Sequence, residues 1–244
     1  MTDKPLSGRI TLITGATRGI GYQAALALAE AGSNIIAIGR TQGALEELDD
    51  AINSAGGECT LVPLDLKNFD GIDQLGQIIH ERWGRLDGLF ANAGVLGDIT
   101  PANQVEPKVF EEVFAINMTA NYRLIRSLDP LLRLSKAGRS LFMSSRAATG
   151  RRAFWSVYSA SKSALDAYVQ CYANEIEITN MKVNLLDPGA TATAMRAKAM
   201  PGEDAATLPQ PKDLAPLIVE MLSPNYMKNG EIITFRDTDY FKKL

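Results

Sequence analysis

The stretch SVYSASKSALDAY, Ser156 to Tyr168, sets a tyrosine and a lysine four residues apart in an Ala/Ser-rich run that predicts a helix. Positions i and i+4 share one helical face, so the Tyr158 hydroxyl and the Lys162 ammonium are directed at the same small volume. A free tyrosine ionises near pH 10, and bringing it to ~7 takes about 4 kcal/mol. An ammonium about 4 Å away, at an effective dielectric near 20, supplies a Coulomb term of that order. The expected chemistry is proton transfer at Tyr158, with Lys162 lowering its pKa. On this stretch alone, an amphipathic surface helix with a chance pair explains the spacing equally well. The elements around it must decide.

Short β-rich runs alternate with longer helical ones. RITLIT precedes IGYQAALALAEAG, NIIAIG precedes ALEELDDAINSAGG, CTLVPL precedes GIDQLGQIIHERWG, and DGLFANAG precedes a helical region from about Pro107. SLFMSS, the helix holding Tyr158, KVNLLD, a helix near Leu214 to Leu222 and EIITF complete the order. Strands that are continuous apolar runs are buried on both faces, as parallel strands in an α/β sheet are. The expected fold class is therefore α/β: one doubly wound Rossmann domain over residues 1–244, with about seven parallel strands and helices on both faces. Gly32, Gly56 and Gly84 mark helix ends. The one long irregular segment, about 190–211, has the length of a substrate-binding loop, a lid or a disordered stretch.

The chain has 244 residues, 46% hydrophobic and 22% charged, which suits one sizeable core. Its formal charge of −3 is spread over interspersed residues, so no basic stripe offers itself to nucleic acid, and neither nucleic acid nor membrane is an expected partner. The opening MTDKPLSGRITLITG holds no apolar run of signal-peptide length, and the expected location is cytoplasmic. Cys59 and Cys171 stand far apart without a CxxC or a neighbouring His, so both are expected to be buried small apolar residues and no metal is expected. His80, the only histidine, lies near a helix end, which excludes chemistry needing several histidines.

TGATRGIG, Thr14 to Gly21, joins the first strand to the first helix. Glycines there let backbone approach a pyrophosphate, which the helix N-terminus stabilises through its free N–H groups. Any tight connection can use glycine, but a place at the start of the first βα unit points to a dinucleotide. Asp65 after CTLVPL, Asn92-Ala93-Gly94 after DGLFA, and Ser144-Ser145 after SLFM stand at further strand ends. Each alone is explained by turn chemistry. Together they line one edge of the sheet.

With Asn117 in AINMTAN, Ser145 thirteen residues before Tyr158, YSASK, and the late DPGATAT, these motifs resemble the short-chain dehydrogenase/reductase family over nearly the whole chain. The resemblance implies an oxidoreductase that moves a hydride between a nicotinamide and a small-molecule carbonyl or secondary alcohol. It implies that Gly15, Gly19 and Gly21 hold the pyrophosphate, with Thr17, Arg18 and Ile20 in the same loop. Asp65, followed by Leu66, would bind the adenine; Asn92, Ala93 and Gly94 would pack beside the adenosine ribose; Thr191, after Pro188 and Gly189, would reach the carboxamide. Tyr158 would be the acid and base, Lys162 would also bind the nicotinamide ribose, Ser145 would hydrogen-bond the substrate oxygen, and Asn117 would hold the water that reprotonates Lys162. A homotetramer or homodimer is implied, paired through the helices after Pro107 and around Tyr158. Two departures stand out: Ala91-Asn92 replaces a doubled asparagine, and the end reads FRDTDYF instead of Asp-Gly-Gly. The second removes the sequence basis for the family's usual C-terminal subunit packing.

A cofactor with a free 2′-hydroxyl is usually met by a carboxylate at the end of the second strand. NIIAIGRT has Gly39 there, followed by Arg40, while Arg18 lies on the facing loop. Two guanidinium groups suit a 2′-phosphate, so NADP(H) is expected ahead of NAD(H). A catalytically silent NADP(H)-binding sensor is the alternative of another class, and a lyase or epimerase using the same cofactor transiently is a third. Arg151, Arg152, Arg196 and Lys198 either surround the mouth of the site, favouring an anionic substrate, or are ordinary solvated charges.

Overall fold

In a computed structural model, residues 4–244 are described. Seven strands form one parallel sheet: β1 (Ile10–Thr14), β2 (Asn34–Gly39), β3 (Cys59–Pro63), β4 (Gly88–Ala91), β5 (Arg139–Met143), β6 (Lys182–Asp187) and β7 (Ile232–Thr234). Their order is β3-β2-β1-β4-β5-β6-β7. The chain steps outward from β1 to β3, then returns to lay β4 beside β1, with Thr14 opposite Ile38 on one side and Ala91 on the other. Ligands of such sheets gather at the carboxyl ends of the strands where this reversal occurs.

The helices are α1 (Gly19–Glu30), α2 (Gln42–Ser54), α3 (Phe69–Trp83), α4 (Pro107–Phe114), α5 (Ala120–Arg133), α6 (Ala147–Gly150), α7 (Ser156–Glu175), α8 (Ala194–Ala199), α9 (Ala215–Met221) and α10 (Asp239–Lys242). Alternate strand residues feed two cores. Leu12, Ile36, Leu89 and Phe142 pack under α3, α5 and α7, while Ile13, Ala37, Phe90 and Leu141 pack under α1, α2 and α9. Because both faces are covered, the strands are mostly apolar on both, with buried polar exceptions such as Thr11, Ser140 and Asn184. Left-handed Gly32, Gly56 and Gly84 lie at the ends of α1, α2 and α3, as the sequence predicts. Among the described residues, no helix is long and apolar enough to cross a membrane.

Two expectations change. Residues 190–211 are not wholly irregular: AMRAKA forms α8, capped by Thr193, whose Oγ1 accepts from the Arg196 N–H at 3.2 Å, and Ala205–Thr207 form a 3₁₀ turn. Cys171 is exposed, on the outward side of α7, and Cys59 is only partly buried because β3 is an edge strand. The FRDTDYF tail folds back on its own chain, with Phe235 fully buried and edge-on to Phe241 at 5.7 Å.

Candidate active site

The loop from Gly15 to Arg18 crosses the carboxyl end of β1 beside β2, where the Ala16 N–H donates to the Ile38 carbonyl at 3.2 Å. Gly15 and Gly19 take left-handed φ of 64° and 56°, a region side chains enter at a cost. A Cβ on Gly21 would press into the Gly15 carbonyl and the Asn92 amide, so only glycine lets α1 start this close to the loop. Asn92 braces the turn from below, its Nδ2 donating to the carbonyls of Thr14 at 3.1 Å and Gly15 at 3.2 Å. The Ala93 N–H donates to Thr14 Oγ1 at 3.1 Å. Ile20 packs on the core beneath α1, and Arg18 is exposed at the start of that helix. The loop is thus a cradle of backbone at a helix start, a form that accepts phosphate.

The neighbouring strand ends extend the edge. Gly39 closes β2 with no room for a side chain: a Cβ there would stand 2.7 Å from Thr17 Cγ2. Arg40 follows it, exposed. Asp65, past the end of β3, accepts from the Lys67 N–H at 2.9 Å, and Leu66 is buried behind it. Beyond β6, the Gly189 N–H donates to Asp187 Oδ1 at 3.0 Å, and buried Thr191 donates to the Pro188 carbonyl at 3.1 Å.

Asn117 lies in a π-helical turn, Ala115–Thr119, between α4 and α5. It is fully buried. Its Oδ1 accepts from the Val95 N–H at 2.8 Å, and its Nδ2 donates to the Val95 carbonyl at 2.9 Å and to Ser161 Oγ at 3.0 Å. Gly94 keeps a space open here, since a Cβ would come within 3.3 Å of Asn117 Oδ1 and 3.6 Å of Lys162 Nζ. Ser145 follows β5, its Oγ accepting from the Ala147 N–H at 3.2 Å.

Tyr158 and Lys162 share one face of α7, and both are buried. Their electrostatics differ from the expectation. The Lys162 ammonium donates to the Met143 carbonyl at 2.6 Å and lies 5.9 Å from the Tyr158 ring centroid. Burial pushes the Tyr158 hydroxyl up to about 12; the Ser145 hydroxyl works against this, and the charges of Asp187 and Asp166 add to it. Burial likewise pulls Lys162 down to about 8, opposed by Asp166. The predicted lowering of the Tyr158 pKa by Lys162 is therefore absent from this arrangement: burial is the largest influence on Tyr158, and the ammonium is turned to a carbonyl.

The strand-end clusters, the glycine loop, Asn117, Ser145, Tyr158 and Lys162 all gather along one sheet edge. The family model for short chain dehydrogenases matches residues 9–204. The chain belongs to the short-chain dehydrogenase family. Among relatives of this short-chain dehydrogenase, an uncharacterised oxidoreductase of Escherichia coli K12, YciK, is 38% identical over 220 residues, 89% of this chain and 87% of that one. A short-chain dehydrogenase of Shigella flexneri 2a complexed with NADP superposes with a TM-score of 0.91 at 37% identity, covering 96% of this chain and 99% of its own. Another from Escherichia coli CFT073, complexed with NADPH, gives 0.90 at 36% identity over 96% and 99% of the two chains.

In this short-chain dehydrogenase the four basic residues Arg151, Arg152, Arg196 and Lys198 are not placed alike. Arg196 is held by Glu203 through two contacts of 2.5 and 2.7 Å, and Lys198 reaches the Gly97 carbonyl at 3.1 Å. Arg151 and Arg152 are exposed, Arg151 in a left-handed turn with φ 43°. Sequence reasoning missed Ser161, Val95 and Asp166. The α7 phase could have flagged Ser161 and Asp166, while Val95 acts through its backbone and leaves no trace in residue type. Among the described residues, no group of three or more His, Cys, Asp or Glu side chains is placed to hold a metal ion.

Proposed function

We propose that this chain is an NADP(H)-dependent oxidoreductase acting on a carbonyl or secondary alcohol, with Tyr158 as general acid and base. The observation that carries the reading is the meeting of Ser145, Tyr158, Lys162 and Asn117 beside a backbone cradle at the sheet's switch point. The residues fit a dinucleotide: Gly15, Gly19 and Gly21 would hold the pyrophosphate, Asp65 and Leu66 the adenine, and Asn92 to Gly94 the space beside the ribose. Pro188, Gly189 and Thr191 would border the nicotinamide, which when bound supplies or accepts the hydride. NADP(H) is favoured over NAD(H) by Arg18 and Arg40 at adjoining strand ends, by the absence of a carboxylate at Gly39, and by the NADP and NADPH in the two similar structures.

The protein's own residues manage the proton. Tyr158, neutral well above pH 7, is poised to donate from its Oη to a carbonyl oxygen. Ser145 donates a hydrogen bond to that oxygen as charge develops on it. Lys162 would hold the ribose hydroxyls and, turned from the Met143 carbonyl, stabilise the phenolate left on Tyr158. Asn117 fixes Val95 and Ser161 around them, and would hold the water that restores the Lys162 proton. Residues 190–211 would cover the substrate, with Lys198 clasping the loop after β4.

A second copy of this chain is the proposed partner, giving a homodimer or homotetramer. Exposed Phe110 and Tyr122 on α4 and α5 support pairing through that side. Mixing the protein with NADPH and a simple diketone or quinone, and following NADPH absorbance, tests the function. Consumption supports the oxidoreductase; tight NADPH binding without consumption across a panel of ketones, acyl thioesters and sugars would leave the sensor reading instead.

A further inference from the structure

Asp166 has no part in the chemistry above, yet it stands directly behind it. It follows Lys162 by one helical turn on the same face of α7 and is buried. Its Oδ2 accepts a 2.8 Å hydrogen bond from Ser144 Oγ, next to Ser145, while its Oδ1 is buried with no hydrogen-bond partner. A buried carboxylate oxygen left unpaired is costly, and a nearby cation offsets that cost without touching it. The groups facing Asp166 are Ser144 after β5, Asp187 at the end of β6, and Lys162 and Tyr158 on its own helix. Lys162 is the one cation among them. Asp187 is turned to the Gly189 N–H. Lys162, for its part, forms no ion pair among the described residues and has only the Met143 carbonyl.

We propose that Asp166 is a positioning residue: its buried charge, oriented by Ser144, keeps Lys162 in the ammonium form and so sets the pH range in which the Tyr158–Lys162 pair works. Burial pulls Lys162 down to about 8, with Asp166 opposing. Burial also pushes Asp166 up to about 6, opposed by the Ser144 hydrogen bond and by Lys162, with Asp187 adding to the rise. Between those values both groups are charged and support each other. Neutralising Asp166 removes an attraction from Lys162, which then loses its proton at lower pH. It also removes a repulsion from Tyr158, so the whole working range moves toward acid.

The consequence for turnover rests on the proposed oxidoreductase function; the charge coupling belongs to the protein alone. Carbon-13 NMR of lysine Cε atoms follows Lys162 directly. In the wild type its midpoint is expected near 8, with a second inflection near pH 6 as Asp166 ionises. In Asp166→Asn the midpoint should fall by about one unit or more and the inflection vanish, while Asp166→Glu restores both. A Lys162 midpoint unmoved by Asp166→Asn overturns the proposal. If that variant fails to fold, the wild type decides: no inflection of Lys162 near pH 6 overturns it equally. In NADPH oxidation by a ketone, the alkaline limb of kcat should shift by the same amount as Lys162. A lower kcat at every pH with an unmoved limb would mark a merely structural role and overturn the proposal. A wild type that shows the coupled titration but reduces no carbonyl would retain Asp166's effect on Lys162 and remove the proposed function.

Discussion

Placing a carboxylate at residue 39, where it would repel a 2′-phosphate, is the direct way to reverse dinucleotide preference. It is not a local change. A Cβ on Gly39 would stand 2.7 Å from Thr17 Cγ2 and 3.2 Å from Leu45 Cδ2, inside the roughly 3.5–4.0 Å at which carbon atoms attract. Thr17 is β-branched and stiff at χ1, and Leu45 is fully buried, so the loop or α2 must move. Overpacking of this kind costs about 1–3 kcal/mol, which at this chain length lowers Tm by about 3–10 °C. Gly39→Asp alone should melt lower and bind both dinucleotides poorly. Thr17→Ser deletes the Cγ2 methyl and keeps the hydroxyl, so Gly39→Asp with Thr17→Ser should recover most of the Tm. Adding Arg40→Ala removes a charge-assisted contact of about 1.5–3 kcal/mol. That alone is about 10- to 150-fold in the NADPH to NADH ratio of kcat/KM. Thermal melts and kcat/KM for both dinucleotides at low and high salt read these effects. A Gly39→Asp protein with the wild-type Tm refutes the steric argument, and a triple variant that still prefers NADPH refutes the role of Arg40.

Tyr158→Phe should keep its circular dichroism and NADPH affinity while kcat falls about 10²- to 10⁴-fold; turnover within a fewfold of wild type would remove Tyr158 from the acid role. Lys162→Ala should weaken both NADPH binding, read by fluorescence titration, and turnover. Unchanged affinity with lowered turnover would rule out the ribose contact. Light scattering should give a multiple of 26.4 kDa, and a monomer at micromolar concentration would contradict pairing through α4, α5 and α7.

What the sequence made legible follows from what repeats along the chain. NIIAIG and KVNLLD match β2 and β6 residue for residue, because a strand buried on both faces is apolar at most of its positions; Asn184, buried within β6, is satisfied by donating to the Lys228 carbonyl. The face shared by Tyr158 and Lys162 follows from helical phase, and the same phase, carried further, would have turned Cys171 outward and Asp166 inward. The electrostatics did not follow. That Lys162 bonds a backbone carbonyl, and that burial dominates Tyr158, depend on depth, which residue spacing does not encode. The contact between Thr17 and Gly39 joins two strand ends and exists only once β1 and β2 are paired. The helix α8 escaped notice because a six-residue element depends on one cap, Thr193.

The helical run from Pro107 to Arg133 includes one turn wound wider than the rest, at Ala115–Thr119. Such a turn holds one residue more than a regular helix would need. Asn117 sits in that surplus, with the Asn121 amide donating to its carbonyl at 2.8 Å. Removing one residue there would close the run into a regular helix, with Val113 on one side and Leu124 and Leu128 on the other still buried. What it would take away is the placement of Asn117, and with it the bonds to Val95 and Ser161. The fold can therefore spare the extra residue, and the candidate site cannot.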